Sequence, residues 1–166
     1  MSPYLATLLL AGIALLQTTL APHLSFISGR PQFMLLAVVS WSLLRGGREG
    51  VIWGFIGGMM LDLLSGAPFG VLTLPLLLVG YLSGLGEFNI FRANFLLPGL
   101  VALVATLFYN ALVLFLLQIL GQSVEWNAAL LHVVLPALLL NLLVLPLVYL
   151  PLHRLHRLTV QPQMNL

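Results

Sequence analysis

Apolar residues run along this chain in six blocks, and each block ends at a short group of arginine, glycine, proline or other polar residues. A helix needs about 20 apolar residues to cross a hydrocarbon core of about 30 Å. The blocks therefore predict six transmembrane helices, at residues 4–21, 31–44, 51–64, 70–85, 94–120 and 128–152. The second and third are only about 21 Å long at about 1.5 Å per residue. They must borrow flanking residues, thin the bilayer or form a re-entrant hairpin.

Composition supports this pattern, since 61% of the 166 residues are hydrophobic and only 6% are charged. A soluble domain carries about 25% charged residues, so this chain lacks the polar surface of a water-soluble globule. We therefore expect an all-α membrane protein with a single transmembrane domain over residues 1–166. The first block lacks a basic leader and a convincing cleavage signal, so we interpret it as a retained span. Cysteine is absent, which excludes disulfides and thiol chemistry.

The arginines predict the orientation, because short cytoplasmic loops carry an excess of positive charge. With both termini in the cytoplasm, only Arg30 lies outside. The arginines then inside are Arg45, Arg48, Arg92, Arg154 and Arg157. We expect those in the tail and in the loop after span two to act as a cytoplasmic anchor, and the tail could touch anionic lipid headgroups or a cytoplasmic partner.

Asp62 is the one acidic residue within a predicted span, and the topology places it near the outer end of span three. A carboxylate there faces the negative end of its own helix dipole, so something should compensate for its charge. An ion pair with Arg30 is the leading hypothesis, and a pair with His132 is the second. The alternative is that Asp62 is hydrated or caps the following turn.

Small residues recur every four positions along span three, a spacing that lets a second helix approach closely. The glycines concerned are Gly50, Gly54 and Gly58, followed in register by Asp62 and Gly66, and the spacing is repeated in span four by Gly80 and Gly84. We interpret this stripe as the tightest internal helix contact, although it could instead face a partner protein. Gln17, Asn110 and Asn141 lie within other spans and are expected to form interhelical hydrogen bonds.

The residues predict no catalytic centre, cofactor or metal. An intramembrane aspartyl protease needs two facing carboxylates, and the spans supply one. Ser65 and His132 could lie at similar depth, but a Ser-Gly pair is explained by turn formation. No two histidines within a span have metal-ligand spacing, and no glycine-rich loop suits a nucleotide. The classes left open are a subunit that binds proteins and a transporter that binds a small molecule.

Two segments carry a resemblance to a known family. They are Arg30-Pro31-Gln-Phe-Met-Leu-Leu36 and the stretch from Gly58 to Val71 that contains Asp62-Leu-Leu-Ser65-Gly66, followed by Gly80-Tyr81-Leu and Phe91-Arg92. In this order they resemble the MreD family of bacterial rod-shape-determining membrane proteins.

The resemblance implies a multi-pass protein of the bacterial inner membrane that belongs to the cell-elongation machinery. The implied partners are the bitopic protein MreC, the glycosyltransferase and transpeptidase that make lateral-wall peptidoglycan, and, indirectly, the actin-like filament. Homo-oligomer formation is left open, and no nucleic acid is expected. The implied fold is a compact six-helix bundle like the substrate-binding subunits of energy-coupling-factor transporters, which makes small-molecule binding the alternative function. For scaffolding, the candidate docking residues are Asp62, Arg30, Pro31, His132, Ser65 and Gly66.

Overall fold

A computed structural model describes residues 3–23, 29–85 and 96–159 of the chain. Every regular element in these ranges is a helix. The helices are α1 (Pro3–Leu20), α2 (Phe33–Arg45), α3 (Gly47–Ser65), α4 (Thr73–Gly84), α5 (Leu96–Ile119) and α6 (Trp126–Thr159). Arg92 and residues 94 and 95 of the fifth predicted span lie outside the described residues.

The helix bounds follow the apolar blocks but differ from them by three residues or more at three places. Gly46 has a φ of 97°, which ends α2 and lets α3 begin at Gly47 instead of residue 51. Gly70 has a φ of 95°, so residues 70–72 form a turn and α4 begins only at Thr73. The last helix extends to Thr159 instead of residue 152, although Pro146 and Pro151 lie inside it. These bounds make α2 and α4 short, at 13 and 12 residues.

The last two helices are long and apolar enough to cross a membrane. They have 24 and 34 residues, and only 28% and 22% of their most apolar stretch is buried. A core helix of a soluble protein would be mostly buried. Many leucines of these two helices are exposed instead, which is typical of a lipid-facing surface. A π-helical turn at Leu130–Val134, which no sequence pattern indicated, interrupts α6 near its start.

The centre of the bundle is α2, which packs against each of the other five helices. All its residues from Met34 to Ser42 are buried, and this explains why its sequence is apolar on every side. At one end the rings of Trp41 and Trp53 stack with their centroids 4.4 Å apart, joining α2 to α3. The core is therefore built around a short helix, and neighbouring helices must supply hydrogen-bond partners for the backbone groups left free at its ends.

Candidate functional site

Asp62 is buried, with 3% of its surface exposed, and its carboxylate accepts four hydrogen bonds from the start of α4. The backbone N–H of Gly70 lies 2.8 Å from Oδ2, and that of Leu72 lies 3.0 Å from Oδ1. Thr73 donates to Oδ2 from both its N–H, at 3.3 Å, and its hydroxyl, at 2.5 Å. We call this group the Asp62 cap, because it satisfies N–H groups that the beginning of a helix leaves free.

The Asp62 cap explains how a carboxylate is tolerated near the negative end of its own helix dipole. Asp62 lies near the C-terminus of α3, where a negative charge is unfavourable, but also at the N-terminus of α4, where it is favourable. The predicted ion pair with Arg30 is wrong, because the carboxylate is directed at Gly70–Thr73 and Arg30 is exposed. The predicted pair with His132 is not formed either, since that residue is exposed in the π-helical turn. Capping of the following turn was the correct alternative.

The cap also holds the exposed turn between α3 and α4. We call it the outer turn (residues 65–70), after the side of the membrane predicted for it. Gly66 ends α3 in the left-handed conformation with a φ of 67°, and Ser65 accepts a hydrogen bond from the N–H of Ala67 at 3.4 Å. Phe69 is 68% exposed although it lies next to the fixed Gly70. Ser65 and Gly66 are exposed as well, whereas Pro31 is buried.

A second buried polar group surrounds the start of α2 and centres on Gln32, so we call it the Gln32 cluster (Gln17, Gln32, Thr106, Asn110, Asn141). The Gln32 N–H donates to Oδ1 of Asn141 at 2.9 Å, and its side-chain amide donates to Oδ1 of Asn110 at 2.9 Å. Asn141 returns a bond to Oε1 of Gln32 at 3.1 Å and donates to the Thr106 hydroxyl at 3.1 Å. The N–H of Met34 donates to Oε1 of Gln17 at 2.7 Å.

Gln17 of α1 and Asn141 of α6 therefore accept hydrogen bonds from backbone N–H groups at the start of α2, and Asn110 of α5 bonds the Gln32 side chain. No water is available in a bilayer core, so free N–H groups of a helix that ends there need partners from the protein. Gln17, Asn110 and Asn141 do form interhelical hydrogen bonds, but sequence reasoning gave Gln32 no role. Its position just before a helix too short to cross the bilayer was the signal that could have identified it.

Replacing Gln32 with leucine should therefore lower stability by about 2 kcal/mol. Amide hydrogen bonds inside membrane proteins contribute about 0.6–1.7 kcal/mol each, and this change removes three side-chain bonds. The measurement is unfolding of the purified chain in detergent. Gln118→Leu is the matched control, because Gln118 lies on the exposed surface of α5 and loses only one exposed hydrogen bond, from Nε1 of Trp126, so it should change stability by less than about 0.5 kcal/mol. Equal effects of the two substitutions would contradict the role of the Gln32 side chain in joining α5 and α6 to the start of α2.

The glycine stripe lies where α3 meets α4. A Cβ added at Gly54 would lie 2.5 Å from the carbonyl oxygen of Leu76, and one at Gly58 would lie 2.5 Å from Cα of Thr73. Gly50 and Gly80 face each other so closely that a Cβ on either would overlap the other's carbonyl oxygen, and Gly84 faces the backbone of Gly47 in the same way. Ser42 of α2 donates to the Gly80 carbonyl at this contact. The stripe is thus occupied within the chain.

The predicted cytoplasmic arginines have different surroundings. Arg45 forms an ion pair with Glu49 at 3.7 Å, lies over the ring of Trp41 at 5.2 Å, and donates from Nε to Nδ1 of His156 at 3.1 Å. It therefore joins the end of α2 to the end of α6. Arg48, Arg154 and Arg157 are exposed.

These groups join helices to one another. The Asp62 carboxylate has four donors and no second carboxylate hydrogen-bonded to it among the described residues. Within residues 3–23, 29–85 and 96–159, no three histidine, aspartate or glutamate side chains come together as a metal site would require.

Comparison with protein families gives a match. The family model described as rod shape-determining protein MreD matches residues 1–159. The chain belongs to the MreD family. This confirms the resemblance carried by the Arg-Pro and Asp-Leu-Leu-Ser-Gly segments, and it gives the chain a role in the determination of rod shape. No solved structure matches this MreD family member closely enough for comparison, so its expected likeness to energy-coupling-factor subunits stays a prediction.

Proposed function

We propose that this chain is a non-catalytic scaffold of the bacterial cell-elongation complex and docks the transmembrane and periplasmic parts of a MreC-type partner. The observation that carries this proposal is the contrast between two kinds of residue. The first kind makes its contacts within the chain: Asp62, the Gln32 cluster and the glycine stripe. The second is Phe69, which is 68% exposed on a turn that the Asp62 cap holds in place.

This contrast narrows the docking surface. The glycine stripe has no room for a partner helix, because α4 already fills it. Asp62 is buried and acts only through the outer turn. Of the predicted docking residues that the structure describes, Arg30, His132, Ser65 and Gly66 are exposed, and we place the partner's periplasmic segment on the outer turn and Arg30. An exposed aromatic on a rigid turn is typical of an interface hot spot.

The proposed orientation, with both termini in the cytoplasm of a multi-pass inner-membrane protein, has support from two contacts. Arg45 reaches His156, and Gly47 packs against Gly84. The α2–α3 junction, the end of α4 and the end of α6 therefore lie at one end of the bundle. Four of the arginines assigned to the inside by charge bias belong to that end, namely Arg45, Arg48, Arg154 and Arg157.

The test is co-purification in mild detergent of the tagged chain and the MreC-type protein encoded in the same genome. We expect Phe69→Ala to lower recovery of the partner by at least about tenfold, because truncation of a hot spot costs about 2 kcal/mol or more of binding, which is about 30-fold in the dissociation constant. Phe55→Ala is the matched control, since Phe55 is an exposed aromatic of α3 away from the outer turn. It should leave recovery of the partner unchanged.

Unchanged recovery of the partner with Phe69→Ala, or equal losses with both substitutions, would contradict docking at the outer turn. The thermal midpoint of each variant shows whether the chain is still folded. Mass spectrometry of the same sample tests the alternative function. A small molecule that co-purifies with the chain and raises its thermal midpoint would favour a transporter subunit.

A further inference from the structure

An apolar groove of about 480 Å³ runs along the outer surface of α6 near its C-terminal end. It is lined by two prolines and four leucines, and Arg154 is its one charged residue. The prolines, Pro146 and Pro151, explain the groove. Each lies on the helix surface about one turn from a leucine of the lining, and its compact ring leaves open space where a longer side chain would extend.

The basic residues at this end of α6 are divided between two faces. His156 is directed inward, where Nδ1 accepts the bond from Arg45, and the ring of His153 stacks on Tyr149 with centroids 5.7 Å apart. Arg154 and Arg157 are both exposed. They are three residues apart, so they are neighbours on the helix surface. In the described part of the chain neither has a carboxylate within ion-pair distance.

We propose that the groove and these two arginines form a binding site for one anionic phospholipid. Its acyl chain lies between the leucines beside Pro146 and Pro151, and its phosphate is bound by Arg154 and Arg157. Charge complementarity selects this occupant, because guanidinium groups bind phosphate oxygens with paired hydrogen bonds, and juxtamembrane arginines attract anionic lipids. Length fits as well, since Pro146 lies about 12–17 Å along the helix from the two arginines and one leaflet of the hydrocarbon core is about 15 Å thick.

The site requires the chain to lie in a bilayer, but it does not depend on the proposed partner. The predicted anchor arginines therefore have different roles. Arg45 binds Glu49 and His156 within the chain, whereas Arg154 faces the groove and is available to a lipid.

Lipid binding to the full chain, purified in a neutral detergent, tests this site. The probes are dioleoyl-phosphatidylglycerol and dioleoyl-phosphatidylcholine, which have the same acyl chains, and sn-glycerol 3-phosphate, which has the phosphate but no acyl chain. Native mass spectrometry measures the retained lipid. We expect one phosphatidylglycerol to be retained about tenfold more strongly than phosphatidylcholine, and no retention of glycerol phosphate. Equal retention of the two lipids, or binding of glycerol phosphate alone, would overturn the proposal.

Variants then separate the phosphate contact from the groove. The double substitution R154Q/R157Q should remove the preference for phosphatidylglycerol, and Leu150→Trp should lower its retention while both arginines remain. R48Q is the control, because Arg48 is exposed and lies outside the groove, and it should retain phosphatidylglycerol as the native chain does. A preference that survives R154Q/R157Q, or that R48Q abolishes equally, would contradict the assignment. Because the substituted arginines are exposed, the thermal midpoint without lipid should stay unchanged.

Discussion

Replacing Asp62 with alanine should lower the stability of this chain by about 3 kcal/mol, among the largest effects of any single substitution. The change removes the acceptor of four hydrogen bonds and leaves the N–H groups of Gly70, Leu72 and Thr73 without it. Bonds to a charged acceptor contribute about 1.5–3 kcal/mol each but are not additive, and each buried N–H left unpaired adds a penalty. Unfolding in detergent, followed by tryptophan fluorescence, measures the loss.

Three companion variants identify the cause. Thr73→Val removes only the hydroxyl donor and should cost about 1 kcal/mol. Asp62→Asn keeps one acceptor oxygen but directs an amide group at backbone donors, so its effect should lie between those of valine at 73 and alanine at 62. Arg30→Ala should change stability by less than about 0.5 kcal/mol, because Arg30 is exposed and not paired with Asp62. If Arg30→Ala lowered stability as much as Asp62→Ala, the result would favour an Asp62–Arg30 ion pair over the Asp62 cap.

Gly84→Ala should destabilise the chain by about 2–3 kcal/mol, whereas the same substitution at Gly12 should be neutral or stabilising. An added Cβ at Gly84 would come closer than 3.0 Å to backbone atoms of Gly46 and Gly47, which cannot move aside as a flexible side chain would. Gly12 lies on the exposed side of α1 with no atom within 4 Å of the added carbon. Alanine there gains up to about 1 kcal/mol of helix propensity.

The opposite signs make this pair a sharp test. Both glycines are helical and both gain one methyl group, so propensity alone predicts equal effects. The measurement is again unfolding in detergent, with Gly80→Ala as a second member of the contact. A loss at Gly12 as large as that at Gly84, or no loss at Gly84, would show that α3 and α4 do not pack through the glycines.

The apolar blocks predicted the six helices that the structure describes, because a run of apolar residues is visible in the sequence alone, and two of these helices are long and apolar enough to cross a membrane. The sequence also identified the glycine stripe, since a spacing of four residues is visible without any structure. It gave the wrong partner for Asp62, because the actual donors are backbone N–H groups and these carry no signature in the side chains. A search for a cation near an acid therefore led to Arg30.

Gln32 was missed for a related reason. Its role arises where α2 begins among α1, α5 and α6, and no local pattern shows that meeting. One physical argument would have helped, however. A helix of 13 residues is about 20 Å long, so in a bilayer at least one of its ends would lie below the surface and would need hydrogen-bond partners from other helices. Short spans in other membrane chains can be examined for glutamine or asparagine in neighbouring helices on this basis.

The hydrogen bonds of Asp62 at the start of α4 also explain why the outer turn is suited to binding a partner. Asp62 fixes Gly70 and Thr73, so the exposed ring of Phe69 is carried by backbone that cannot move freely. An interface on a preorganised turn loses less conformational entropy on binding than one on a loose loop. The central claim is therefore that the buried polar groups fasten the helices and the outer turn meets the partner.

Site-specific photocrosslinking in living cells tests that claim most directly. A photoreactive phenylalanine analogue replaces Phe69 in one strain and Phe55 in another, and crosslinked products are identified by mass spectrometry. The account predicts a crosslink to the MreC-type partner from position 69 and none from position 55. A partner that co-purifies with the chain but crosslinks only from position 55, or from neither position, would contradict it.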